Sequence, residues 1–123
     1  MPVATYCLVA LDCPDPKALA AFYAGILGGH VTNDGEDWYD LYAPGGHRIA
    51  FQRAPGLTPP DWPRADHNSQ QLHLDFDVPD METAHQLVLD LGGTPLDVDD
   101  GNGERGFRVY ADPAGHPFCL CRA

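Results

Sequence analysis

The segment QQLHLDFDVPD, residues 70–80, sets one histidine, His73, in an alternation of polar and apolar residues, with Gln71 and Asp75 at the same parity. Near the end of the chain FCLC supplies two thiols, Cys119 and Cys121, again two residues apart. Imidazole is the usual general acid or base near neutral pH, and Asp75 or Gln71 could orient it. Imidazole and thiolate are also zinc donors, so His73, Cys119 and Cys121 compose a soft three-residue set. Against that set, residues two apart on one strand stand about 7 Å from each other and seldom reach one ion together. The plainer alternative is a hydrogen-bonded histidine beside two small thiols that fill a cavity wall. Other residues suit ligand contacts instead. Gln52 could bind a polar group. Arg108, flanked by Phe107 and Tyr110, could pair with a ligand carboxylate or with one of the chain's own acids. Trp38 and Trp62 supply large aromatic surfaces, Trp62 either as a lid packed on apolar surface or as a recognition residue.

The elements that must position these residues occur twice. LDCPDPKALAAFYAGILGG (residues 11–29) matches FDVPDMETAHQLVLDLGG (76–93), and APGGHRIAFQ (43–52) matches DPAGHPFCLC (112–121). A repeat of this kind implies two copies of one supersecondary unit. Alternation predicts first strands over about 5–12 and 71–78. Helices are expected to start at Asp15 and Asp80, where a carboxylate suits the N-cap or first turn, and to stop at the Gly-Gly pairs. Three short strands follow in each copy: 30–32, 38–42 and 48–53, then 94–98, 106–110 and 117–121. The fold class is therefore α+β, a βαβββ unit repeated, with units at 1–53 and 70–123. Residues 54–69, rich in proline and without periodicity, form a linker.

Side chains alternate across a sheet. Leu72, Leu74, Phe76 and Val78 should face the second helix, leaving Gln71, His73, Asp75 and Asp77 opposite. By the repeat, Cys7, Val9 and Leu11 face the first helix, while Tyr6, Leu8, Ala10 and Asp12 do not. Ala50 and Gln52, and Cys119 and Cys121, share the face turned from the helices. Two such mixed faces curled toward each other would enclose a central cavity for a small molecule.

The 123 residues are 44% hydrophobic, enough for one folded domain, and carry a formal charge of −11. That charge repels phosphate backbones and anionic membranes, so neither nucleic acid nor membrane is an expected partner. No apolar run approaches the roughly 20 residues of a bilayer span and no leader opens the sequence. A cytoplasmic protein with four reduced cysteines follows. GNGERG (101–106) has the spacing of a dinucleotide loop, but a strand follows it, so it is expected to be a hairpin turn. DVDDGNG (97–103) lacks the ligands of a calcium loop.

The repeat, together with FYAGILGG and YADPAGHPF, resembles the vicinal oxygen chelate superfamily of glyoxalase I, bleomycin-resistance proteins and extradiol dioxygenases, and within it the short glyoxalase-like proteins. The resemblance covers nearly the whole chain. It implies paired βαβββ units, frequent dimerisation, and a divalent metal held by one residue from each unit's first strand and one from each last strand. Seven residues before Asp80 is His73, and seven before Asp15 is Leu8; four after Gly115 is Cys119, and four after Gly46 is Ala50. Leu8 and Ala50 cannot ligate. His73 and Cys119 then survive as vestigial positions in a cavity wall that Leu8, Ala50, Gln52, Gln71, Asp75 and Cys121 share.

The resemblance thus implies no cofactor, with a divalent metal at His73 and Cys119 as the alternative. The expected function is binding of an aromatic or apolar small molecule by a homodimer, as in bleomycin resistance. The competing reading is a glyoxalase-like lyase or isomerase, or a dioxygenase-related enzyme, using His73.

Overall fold

The computed structural model describes all residues except 1, 63, 65 and 67. Among the described residues eight strands and two helices follow the order β1 (Val9–Cys13), α1 (Pro16–Leu27), β2 (His30–Asn33), β3 (Trp38–Ala43), β4 (His47–Arg53), β5 (Leu74–Val78), α2 (Met81–Asp90), β6 (Thr94–Asp97), β7 (Phe107–Ala111) and β8 (Pro117–Arg122). Each βαβββ copy makes one four-stranded sheet, ordered β1-β4-β3-β2 and β5-β8-β7-β6. Two compact units result, one ending at Leu57 and the other starting at Thr58.

The repeat extends to strand register. Val9 stands opposite Ile49 and Ala10 opposite Ala50 in the parallel β1–β4 ladder, as Leu74 stands opposite Phe118 and Asp75 opposite Cys119 in β5–β8. The remaining pairs in each sheet, β2–β3, β3–β4, β6–β7 and β7–β8, are antiparallel. First strands are shorter than alternation predicts, so Leu8 and His73 each lie one residue before the ladder. In the second unit the residue that would face His73 is Pro117, and in the first the residue that would face Leu8 is Arg48, so both ladders begin at the same step of the repeat.

In the first unit α1 starts where the Asp15 carboxylate accepts the Ala18 N–H at 3.1 Å. Pro16 follows, at a position where its missing N–H costs nothing. The helix stops at Gly28 and Gly29, both at positive φ. A Cβ on Gly29 would collide with the Tyr42 carbonyl, so this close approach of α1's end to β3 requires glycine. The core lies between α1 and one sheet face, where Leu19, Phe22 and Tyr23 meet Leu11, Leu41, Ile49 and Phe51, with Tyr23 stacked on Phe51.

The second unit repeats the plan. Asp80 accepts the Thr83 N–H at 3.1 Å to cap α2, and the helix ends through Gly92 at φ 102°. Val78, Met81, Val88, Tyr110, Phe118 and Leu120 are its buried core, and Tyr110 stacks on Phe118. His85 on α2 bonds the Tyr110 hydroxyl at 2.7 Å, which fixes Tyr110 and its cross-strand partner Phe118 on the helix side. Cys119, Val109 and Asp75 therefore point to the other face. The loop between β6 and β7 is the hairpin turn expected of GNGERG. Its Asp100 is paired at 2.8 Å with Arg108 and at 2.7 Å with Arg122.

Candidate functional site

On the helix-free face of the second unit, four side chains converge. Asp75 is opposite Cys119 across the ladder. His73, just off the strand, is free to turn toward Asp75, and its Nε2 lies 3.2 Å from Asp75 Oδ1. Trp62 stacks on the His73 imidazole, with ring centroids 5.7 Å apart and planes at 20°. Three donor atoms, one each from His73, Asp75 and Cys119, lie within 4.8 Å of one another.

Burial and charge polarise this cluster. Cys119 is only 4% exposed, whereas the Asp75 side chain is 58% exposed. Burial, then the Asp75 charge and its hydrogen bond to the thiol, push the Cys119 thiol up to about 12, so it is a neutral donor at physiological pH. Cys121 is raised too, by burial first and then by the charges of Asp75 and Asp77. The third donor of the cluster is Asp75, where the sequence-level set had Cys121. Asp75 sits across from Cys119 at ladder spacing, while Cys121 is one full repeat along the strand.

The corresponding face of the first unit holds a polar network that sequence reasoning missed. Asp40, 7% exposed, accepts the Trp38 indole N–H and the Arg48 Nε–H, each at 3.0 Å. Arg48 lies over the Tyr42 ring at 5.0 Å, and Asp40 raises its pKa further. The signal was available: WYDLY gives Trp38, Asp40 and Tyr42 one parity, and the β3–β4 register sets them opposite Gln52, Ala50 and Arg48.

The candidate residues thus divide between the units. Trp38, Ala50 and Gln52 share the helix-free face of the first sheet, with Leu8 one residue before it; Ala50 is fully buried and Gln52 exposed. His73, Asp75, Cys119, Cys121 and Trp62 belong to the second, and Gln71 is exposed before β5. Arg108 lies elsewhere. It pairs across β7–β8 with Leu120 on the helix side, where its guanidinium bonds Glu82 at 2.6 Å and Asp100 at 2.8 Å. Those two carboxylates keep it firmly charged and accept from its Nη2 and Nε.

A family model for the glyoxalase-like domain matches residues 8–121. The chain belongs to the glyoxalase-like domain family. Its fold places this glyoxalase-like chain in the vicinal oxygen chelate superfamily. Fosfomycin resistance protein FosX from Listeria monocytogenes is similar, with a TM-score of 0.72 and 15% identity over 99% of this chain and 95% of that one. A possible glyoxalase from Bacillus cereus follows at TM-score 0.68 and 13% identity, covering 96% and 99%. Oxidase ChaP-H2 has TM-score 0.66 and 20% identity, covering 98% and 95%. At these identities the likeness is one of fold. No curated protein matches the chain. No helix among the described residues is long and apolar enough to cross a membrane.

Tested against the metal centre that the superfamily implies, with ligands shared between both units, this glyoxalase-like chain does not fit. Leu8 and Ala50, at the two positions of the first unit, carry no donor atom.

Proposed function

We propose that this glyoxalase-like protein binds a small aromatic or apolar molecule and acts by sequestering it, as bleomycin-resistance proteins do. The observation that carries this reading is the replacement of both first-unit ligand positions by Leu8 and Ala50, which removes the donor side chains of the shared chelate. Aromatic groups on both helix-free faces support it. Trp38 and Tyr42 flank Asp40 on one, and Trp62 stacks at the edge of the other. Flat rings recognise flat rings, and such stacking contributes about 0.5–1.5 kcal/mol beyond area burial. The same reading has the protein working in the cytoplasm as a homodimer, with no nucleic-acid partner, a point that the charge of −11 supports.

The test is intrinsic tryptophan fluorescence titrated with a panel of aromatic compounds, with product analysis of the same mixtures. Saturable quenching at one ligand per chain, weakened in Trp62→Ala by about tenfold, is expected. Conversion of a bound compound into product would overturn sequestration.

That outcome belongs to the second reading, a glyoxalase-like lyase or isomerase, or a dioxygenase-related enzyme. It is favoured by one geometric fact: Asp75 lies 3.2 Å from His73 Nε2 and can hold the ring as a general base requires. There His73→Ala lowers kcat far more than it weakens ligand affinity.

A further inference from the structure

We infer that the small molecule is an aromatic monocarboxylate and that Arg48, on the first unit, holds its carboxylate. The inference rests on the aromatic-ligand reading above and adds the ligand's charge to it. β3 lies between β2 and β4, and the registers set His30 opposite Tyr42 and Tyr42 opposite Arg48. The His30 ring stacks on Tyr42, with centroids 5.1 Å apart and planes at 12°, and the Arg48 guanidinium lies over the same ring from the other strand. One row of flat groups, imidazole, phenol and guanidinium, therefore crosses the helix-free face. The neighbouring row, Asp40 and Ala50, is buried, while His30, Tyr42 and Arg48 keep contact with solvent.

Arg48 is more than half of an ion pair because of the edge it leaves open. Asp40 Oδ1 accepts from Nε, and Asp40 Oδ2 is taken by the Trp38 indole N–H. On the outer edge, which carries the Nη groups, the chain's own contact is the Cys7 sulfur, a weak acceptor 3.9 Å from Nη1. Arg108, for which the sequence suggested this role, is the contrast: its Nε and Nη2 go to Asp100 and Glu82, and its side chain is 11% exposed against 32% for Arg48. Fixing one edge of a guanidinium on a buried carboxylate, and its plane on a ring, removes freedom before a ligand arrives, so less is lost when the other edge binds. The planar fork matches a planar carboxylate. With Asp40 already balancing the charge of Arg48, the open edge suits a single negative charge better than a doubly charged phosphate. The other carboxylate of this face, Asp12, stands opposite Gln52, which lies roughly 13 Å along β4 from Arg48 and beyond a Debye length at physiological salt. The ring of the same ligand then lies beside Tyr42 and His30, in one row with the guanidinium.

The experiment is isothermal titration calorimetry of the full chain with benzoate, 2-naphthoate and the uncharged amide of each. An acid should bind about tenfold or more tighter than its amide, because hydrogen bonds to a charged group are the stronger kind. Arg48→Gln should bring acid and amide to the same affinity. Arg48→Lys keeps a cation beside Asp40, so it serves as the second arm should the first variant not fold, and it should retain only part of the preference. Arg53→Gln, on the other face of β4, should leave the preference as it is. Circular dichroism is the folding control. Equal binding of acid and amide by the natural chain overturns the inference and leaves the aromatic-ligand reading standing, whereas binding of neither overturns both. A preference that survives undiminished in folded Arg48→Gln or Arg48→Lys, or that is lost in Arg53→Gln, places the carboxylate elsewhere and overturns the inference as well.

Discussion

Asp75 stands directly opposite Cys119 in the parallel β5–β8 ladder, and its carboxylate is hydrogen-bonded to the buried thiol. Burial of the thiol first, and then the charge of Asp75 and its hydrogen bond, make the thiol hold its proton. This pair makes the helix-free face of the second unit differ from that of the first, where Ala10 faces Ala50.

The first expectation concerns thiol reactivity in chelator-treated protein. With its thiol pushed up to about 12, Cys119 should resist alkylation at neutral pH and react progressively as pH rises toward that value, whereas exposed Cys7 reacts first. Asp75→Asn removes one cause of the shift but not the burial, so it should speed Cys119 labelling several-fold without matching Cys7. Peptide mass spectrometry after timed alkylation reads both.

Acid stability should report on Asp100. Hydrogen bonds from Arg108, against a desolvation cost, and from Arg122 hold its pKa down to about 2, below the 3.8 of the free group. A depressed carboxylate pKa contributes stability that is fully present above the unfolded value and is lost as pH falls through the folded one. Asp100→Asn should therefore melt several degrees below the natural protein at pH 7. The gap between the two should close between about pH 4 and pH 2. Melting curves across that range decide it, and a gap independent of pH would contradict the pairing.

Asp40→Ala should leave the Trp38 indole N–H and the Arg48 guanidinium without their shared acceptor on a buried surface. A lowered melting temperature and altered Trp38 emission are expected, with Trp62 replaced by phenylalanine to isolate the signal. Arg48→Lys, with Asp40 in place, should show part of the same loss, because the Nε–H contact and the planar stack over Tyr42 both belong to guanidinium.

Gly29→Ala should destabilise the first unit by about 1–3 kcal/mol from backbone strain alone, before its collision with the Tyr42 carbonyl is counted. Gly35→Ala, also at positive φ but with open space around it, isolates the strain component. A smaller loss there, in denaturant melts of the two variants, is the expected order.

Much of the architecture is legible in residue order because it follows from local rules. Asp15 and Asp80 cap helices because a short carboxylate there can reach an unpaired N–H, and the Gly-Gly pairs stop them because glycine alone enters the left-handed region freely. Period-two alternation correctly separated Phe118 and Leu120 from Cys119. The repeat also aligned Leu8 with His73 and Ala50 with Cys119, an equivalence that the ladder registers reproduce.

Side-chain partners between distant segments are another matter. Arg108 could be read as a ligand contact until β7 and α2 were brought together, which set Glu82, 26 residues away, against its guanidinium. Asp40 looked like any acidic strand residue until the β3–β4 register gave it Arg48.

By itself, then, the sequence determined the doubled βαβββ plan, the sides that its side chains take, and the loss of donor atoms at Leu8 and Ala50, since composition, alternation and repetition are properties of the chain alone. Only the tertiary structure decided that His73, Asp75 and Cys119 meet. Their meeting depends on which residue of β8 faces which residue of β5, and on that ladder beginning at Leu74, one step after His73. Register of this kind is set by pairing across 44 positions of chain, from Asp75 to Cys119, and alternation within either strand carries no record of it.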